Sequence, residues 1–343
     1  MARLTTFSRF LITLGIVGAI VFALFKFFPQ LNPLNKKDGG GTTEIVDESR
    51  SKYNDNNSGG NTTSNTDTKQ ISTGGERVPF AYTPPEPVNG KLKGVVELGA
   101  SGFNSFIIRV DNAKNWKLEK AEYGASLVYE KLATDDDIKI GLKRYIGDML
   151  AFGVSPKEIH FVISSGAKKI DVTEKIIKTL NGMGYVMNTV TPEQEGRYGY
   201  KAALPQAYRS QGFMVDIGSG NTKISYMKNG ALQASESYGA KYFQNGTSDA
   251  AVASEVESKC QAVPSSNRNI CFIIGGVPFE LAKQVRNGKE RFTVLKAPGD
   301  YKAEGEKQKA GLNIYNAVAK ATGCKQFIFD WDANFTIGFL LDM

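Results

Sequence analysis

The sequence predicts an α/β protein of two lobes, set behind an apolar N-terminal segment and a polar tether. Three observations carry that prediction. Strand-like and helix-like segments alternate from about Gly94 to the end of the chain. A run of three strands occurs twice, near Gly94 and again near Phe213. Each run opens with a strand that ends in a carboxylate and continues into a glycine-rich turn. With 343 residues, 41% of them hydrophobic and 22% charged, the chain is long enough for two ordinary domains and apolar enough to bury a core.

Residues 1–9 form a short basic segment with Arg3 and Arg9. Residues 10–28 are almost wholly apolar, with Thr13 and Lys26 as polar interruptions, and as a helix they would span about 30 Å of hydrocarbon. Lys26 can snorkel to the interface. No small-residue cleavage site follows promptly, so the expectation is an uncleaved single-pass anchor in an inner or cell membrane. Basic residues flank it on both sides (Lys36 and Lys37 follow), so charge does not decide orientation. A short basic N-terminus usually stays in the cytoplasm, which places the folded body on the extracytoplasmic side. The tether, 29–88, is rich in Gly, Ser, Thr, Asn and Asp over 38–76 and too poor in large apolar residues to offset ordering entropy. Pro79, Pro84, Pro85 and Pro87 then stiffen the approach to the body.

The first lobe is expected over 89–208. Its strands are read at 94–100, 106–111 and 117–123, followed by a helix over 135–152 with Ile138, Leu142, Ile146 and Leu150 at helical spacing. A strand over 158–164, a helix over 171–181, a strand over 185–190 and a helix over 192–203 complete it. The second lobe, 209–343, restarts with strands over 213–217, 222–228 and 231–238, the last two joined at Asn229-Gly230. A helix follows, then a strand over 270–274, a helix over 278–285, a strand over 292–295, a helix through Lys320 and a strand over 326–329. The apolar tail from Trp331 reads as a final core strand or a docking segment, with core preferred.

A formal net charge of +7 favours an anionic partner such as a phosphate chain or a lipid surface, or simply a solvated basic face near a membrane. No basic–aromatic platform for single strands stands out, so nucleic acid is not an expected partner. Three cysteines are too few for a disulfide framework; Cys260 and Cys271 flank a polar turn and either bridge in an oxidising compartment or remain free thiols. The single histidine, His160, lies in a buried-strand pattern, which excludes a histidine dyad or a multi-histidine metal site.

Two stretches hold the candidate chemistry. The first runs Glu97-Leu98-Gly99-Ala100-Ser101-Gly102-Phe103-Asn104-Ser105-Phe106, and the second runs Asp216-Ile217-Gly218-Ser219-Gly220-Asn221-Thr222-Lys223. Glycines let backbone N–H groups cradle an anion, hydroxyls add donors, and a carboxylate at each strand end can hold a hydrated cation or position a water. The candidate phosphate ligands are therefore Gly99, Ser101, Asn104, Ser105, Gly218, Ser219, Gly220, Asn221, Thr222 and Lys223. Glu97 and Asp216 are the candidate metal ligands, with Mg2+ as the implied ion.

These motifs resemble the actin-like sugar kinase and Hsp70 superfamily, and within it the exopolyphosphatase/guanosine pentaphosphate phosphohydrolase (Ppx/GppA) family. The family's first loop, D-L-G-S-N-S-F, is similar to Glu97-Leu98-Gly99 with Asn104-Ser105-Phe106 after a short insertion. Its second, D-I-G-G-G-S-T-E, is similar to Asp216 through Lys223. Thr191-Pro192-Glu193-Gln194-Glu195-Gly196-Arg197-Tyr198 looks like the family's E-E-A-R helix start, and Gly275-Gly276 like the superfamily's later ligand-side turn. The resemblance implies a two-lobed actin-like (ribonuclease H-like) fold and a cleft in which polyphosphate or a guanosine polyphosphate is hydrolysed with Mg2+, Glu195 acting as general base. Two departures bear on turnover. Lys223 stands where the family has a carboxylate, and the turn with threonine and arginine reads Ser164-Ser165-Gly166-Ala167-Lys168-Lys169, where the resemblance makes Lys168 a further candidate phosphate ligand, as a point charge rather than a fork. The alternative expectation is accordingly a catalytically inactive receptor for a phosphate ligand, or a scaffold with protein partners in a membrane complex.

Overall fold

The computed structural model describes residues 80–99, 102–123, 135–167 and 172–343. The basic segment, the apolar segment 10–28 and the tether as far as residue 79 lie outside them, as do Ser101 and Lys168. Among the described residues no helix is long and apolar enough to cross a membrane.

Two sheets repeat one grammar. In the first, β1 (Lys91–Gly99), β2 (Gly102–Val110) and β3 (Trp116–Tyr123) form an antiparallel run. Helix α1 (Asp135–Phe152) then leads to β4 (Ile159–Ile163), and α2 (Val172–Gly182) to β5 (Met187–Thr189); the sheet order is β3-β2-β1-β4-β5. Helix α3 (Pro192–Ala203) crosses to the second sheet. There β6 (Gly212–Ile217), β7 (Asn221–Lys228) and β8 (Ala231–Tyr238) form the same antiparallel run. Helix α4 (Asp249–Gln261), β9 (Ile270–Ile274), α5 (Gly276–Lys283), β10 (Phe292–Val294), α6 (Gly305–Thr322), β11 (Phe327–Asp330) and α7 (Phe335–Asp342) follow, giving the order β10-β11-β9-β6-β7-β8. The central strands β1 and β6 each pair antiparallel with the next strand and parallel with a later one, β4 or β9. The repetition is two copies of an antiparallel three-strand run followed by helices that lead to parallel strands, with β10 added antiparallel to β11 at one edge.

Both sheets are covered on both faces, which is why β1 from Lys93 onward and all of β6 are buried continuously rather than at every second residue. Outside the first sheet, Val96, Leu98, Phe103, Ile107 and Phe161 pack under Ile138, Leu142 and Met149 of α1 and Ile176 and Leu180 of α2. Outside the second, Phe213, Val215, Ile217 and Ile273 pack against α4, α5 and α6. Between the sheets lie α3 and α7. The Tyr200 and Leu204 side chains face Met214, Phe272 and Ile328 of the second sheet, whereas Ile337, Phe339 and Leu340 face Val95, Phe106 and Val162 of the first.

The tail is thus the element that the sequence reading had as a strand and the structure shows as a helix. A short apolar run is ambiguous between the two, and here Asn334 decides it: its side chain accepts from the Thr336 N–H and caps the first turn. The strand read over 185–190 shortens to Met187–Thr189, because Tyr185 donates its N–H to Leu180 O at the end of α2. Phe80 and Tyr82, on the proline-rich approach, are packed with Tyr208, Phe272 and Phe292 at ring separations of 5.3–5.8 Å, so this stretch lies on the second sheet before the chain enters the first. Cys260, Cys271 and Cys324 are all free and buried. His160 sits on β4 against the Phe339 ring, and burial holds its pKa below the ordinary value.

The sheets also meet through Arg291. Its guanidinium forms a two-point pair with Asp330 at the end of β11 and lies 4.3 Å from the Trp116 ring of β3. Asp332, 3.5 Å from Arg291, has its carboxyl pushed up to about 6, by burial first and by Asp330 second, with Arg291 and Arg286 opposing. The folded pKa exceeds the ordinary 3.8, so the native state holds the proton more tightly, and this group's contribution to stability is lost as pH rises from about 4 to about 6. The side chain is nearly one-third exposed, and screening reduces the effect to about 1 kcal/mol. Urea unfolding of wild type and Asp332→Asn at pH values across that window should show the wild type losing about 1 kcal/mol more than the variant. Parallel pH profiles would remove Asp332 as the titrating group.

Candidate functional site

The candidate site forms where the two hairpins bring Glu97 and Asp216 together beside α3, buried with Glu195 and Lys223. Pairing of β1 with β2 sets Glu97 opposite Asn104, and pairing of β6 with β7 sets Asp216 opposite Lys223. Cross-strand partners on one face lie close enough for their side chains to interact. Glu97 Oε2 accepts from Asn104 Nδ2 at 3.1 Å and from Asn334 Nδ2, at the start of α7, at 3.2 Å. Lys223 Nζ lies 3.5 Å from Asp216 Oδ2.

Helix α3 supplies the third carboxylate. Its first turn is held by a capping box in which the Thr191 side chain accepts from the Gln194 N–H and the Gln194 side chain accepts from the Thr191 N–H. Pro192 sits at the first helical position. Two acidic residues share this turn and part company: Glu193 is exposed, while Glu195 is 1% exposed. Glu195 Oε1 accepts the Ser165 N–H at 2.5 Å, and Oε2 lies 2.8 Å from Lys223 Nζ. The approach needs Gly196, where a Cβ would come within 2.8 Å of Ser225 Oγ and 3.3 Å of Lys223 Cβ.

Electrostatics follow from burial. Glu97 has its pKa raised, first by loss of water and then by the nearby Glu195 and Asp216, with the two asparagine hydrogen bonds opposing. For Lys223, burial alone would lower the pKa, but Asp216 and Glu195 outweigh it and the net shift is upward. The ammonium therefore stays charged throughout the physiological range.

The second turn is engaged by its own backbone. Gly218 N–H donates to Asn221 O, while Gly218 O and Ser219 O accept from the N–H groups of Ala240 and Lys241. Asn221 Nδ2 donates to Glu236 Oε1 at 2.8 Å and to Ser165 Oγ at 3.3 Å, reaching from one lobe to the other. Gly275, at φ +106°, lets the start of α5 abut the end of β6, where a Cβ would stand 2.7 Å from Asp216 Oδ1.

Of the residues expected in the site, Glu97, Asn104, Glu195, Asp216, Asn221 and Lys223 are brought together, with Gly99, Gly218, Ser219 and Gly220 on the adjoining turns. Two lie elsewhere. Ser105 is on the face of β2 shared by Phe103 and Ile107, under α1 and α2, and not on the face of Asn104. Thr222 is opposite Ile217 on the outward face of β7, its hydroxyl donating to Tyr238 O at 2.7 Å. Strand alternation alone separates these hydroxyls from the cleft. Asn334 and the Ser165 N–H were not anticipated as parts of the site. Asn334 had a sequence signal as a helix cap, but its pairing with Glu97 spans 237 positions.

The donor set does not fit Mg2+, which demands near-octahedral oxygen ligation at about 2.0–2.1 Å. Glu195 and Asp216 both face the Lys223 ammonium, Glu97 faces two amide donors, and among the described residues no group of three or more His, Cys, Asp or Glu is placed to hold a metal ion.

No family model and no curated protein matches the sequence. Solved structures do match. The Aquifex aeolicus PPX-GPPA enzyme superposes with a TM-score of 0.58 at 16% identity, covering 74% of this chain and 100% of that one. The chain has the fold of the Ppx/GppA structures. An exopolyphosphatase from Cytophaga hutchinsonii gives a TM-score of 0.54 at 12% identity over 74% of this chain and 98% of its own. An exopolyphosphatase-like protein gives 0.54 at 11% identity, covering 74% and 97%. At these identities the likeness is one of fold alone, and its content is the pair of α/β sheets that each open on an antiparallel three-strand run.

Proposed function

We propose that this chain is a catalytically silent body of the Ppx/GppA fold, tethered to a membrane through residues 10–28 and serving as a scaffold in a membrane complex. One observation carries the catalytic silence. Glu195, the general base that the family resemblance implies, is closed off from water, with one oxygen on the Ser165 N–H and the other on the Lys223 ammonium. A general base must reach the proton that it takes, directly or through one water. The floor also sets three carboxyl groups against one ammonium, a balance that repels a phosphate chain unless a soluble cation intervenes.

Phosphate release from polyphosphate and from a guanosine pentaphosphate, with Mg2+ or Mn2+, is expected at the level of a protein-free control for both wild type and Glu195→Gln. Release by wild type that Glu195→Gln abolishes would reinstate hydrolysis. That second reading is favoured by the gathering of Glu97, Glu195 and Asp216 on one floor. Binding of polyphosphate without consumption, read by calorimetry, would make the cleft a receptor for an anionic phosphate ligand. The extracytoplasmic placement of the body is part of the same proposal, and protease accessibility in whole cells tests it.

A further inference from the structure

We propose that the Lys223 ammonium is the resident cation of this cleft, holding between Glu195 and Asp216 the place that a soluble divalent metal would otherwise take. The folded chain is on this account indifferent to metal. The inference deepens the reading above, and its test measures metal binding and stability rather than turnover, so the two can fail separately.

The geometry supports it in three ways. Lys223 is the strand partner of Asp216, so its stem starts beside the carboxylate that it balances, and its ammonium reaches Glu195 at 2.8 Å. The three side chains are 8%, 12% and 1% exposed, and buried carboxylates of this kind require a compensating positive charge or a proton. Gly196 leaves room for the lysine stem beneath α3, and a Cβ on Gly218 would stand only 3.8 Å from Nζ, so the ammonium occupies the space beside the turn. The first hairpin reaches the same independence by other means, since the carboxyl of Glu97 is met by two neutral amides. Lysine suits the task as a compact point charge on a flexible stem.

The test uses the purified full-length chain. Wild type should melt at one temperature in EDTA and in excess Mn2+, and should show no bound Mn2+ by electron paramagnetic resonance. Lys223→Gln should melt about 10 °C lower in EDTA. Mn2+ should then recover part of the loss, with stoichiometric binding. If Lys223→Gln does not fold, Lys223→Gln combined with Glu195→Gln removes one charge of each sign; it should fold and ignore Mn2+. Mn2+ bound by wild type and lost in Glu195→Gln overturns the inference. So does a Lys223→Gln chain that folds but ignores Mn2+, or a double variant that fails to fold.

Discussion

Gly338→Ala is expected to destabilise the chain by about 3 kcal/mol or more, at the upper end of what one added methyl group does in a packed interior. Gly338 is the point where α7 rests on α3 backbone to backbone. A Cβ there would overlap the Tyr198 carbonyl oxygen and stand 2.5 Å from its carbon and 2.8 Å from its Cα. These are main-chain atoms of a helix wedged between two sheets, so no side chain can swing aside to make room. The effect should reach the cleft, because moving α7 draws Asn334 away from Glu97. Urea unfolding measures the loss. Gly147→Ala on the exposed side of α1, where an added Cβ meets nothing within 4 Å, serves as control and should be neutral or stabilising by up to about 1 kcal/mol. Equal stability of Gly338→Ala and wild type would mean that the two helices do not meet this closely.

Arg291→Met should cost about 3–5 kcal/mol at neutral pH, the range for leaving a buried ion without its partner. Asp330 has a side chain 1% exposed and accepts two guanidinium hydrogen bonds at 3.0 Å. Burial already raises its pKa while Arg291 opposes that rise. Without the arginine the carboxyl would take up a proton more readily, so the sign is clear: the loss is largest near pH 7 and shrinks as pH falls and the carboxyl becomes neutral. Adding Asp330→Asn should recover part of the stability at neutral pH. The stacking of Arg291 on Trp116 is not recovered, and the double variant should remain below wild type. If the single variant loses the same amount at pH 5 and pH 7, the missing ion pair is not the cause.

Much of the fold was legible because it is local. Helical spacing of Ile138, Leu142 and Ile146 fixes a face of α1 whatever surrounds it, and Thr191-Pro192 with Gln194 marks the start of α3 within four residues. Each hairpin is also a local object. A strand, a short turn and a second strand set Glu97 opposite Asn104 and Asp216 opposite Lys223, so the pairing that governs the cleft follows from the turn. The Lys223 departure from the motif was visible for the same reason, and its ammonium lies 2.8 Å from Glu195 and 3.5 Å from Asp216.

Which hydroxyls face the cleft was not legible. β2 is apolar on both faces, Phe103 and Ile107 on one and Phe106 and Ile108 on the other, so alternation cannot say which side holds Ser105 until helices cover one side and α7 the other. The tail posed a similar ambiguity, an apolar run short enough for either a strand or a buried helix.

The sequence by itself determined the order of most elements before the tail and the two carboxylate–turn–strand hairpins, since each depends on neighbours within a few positions. Only the tertiary structure decided that Glu195 is shut away from water, that Ser165 and Asn334 are its floor's donors, and that Lys223 serves two carboxylates. Those contacts join residues from different elements, 30 positions apart for Ser165 and Glu195 and 237 for Asn334 and Glu97. Their existence depends on how closely α3 and α7 approach the sheets, a distance governed by packed glycines rather than by any local pattern.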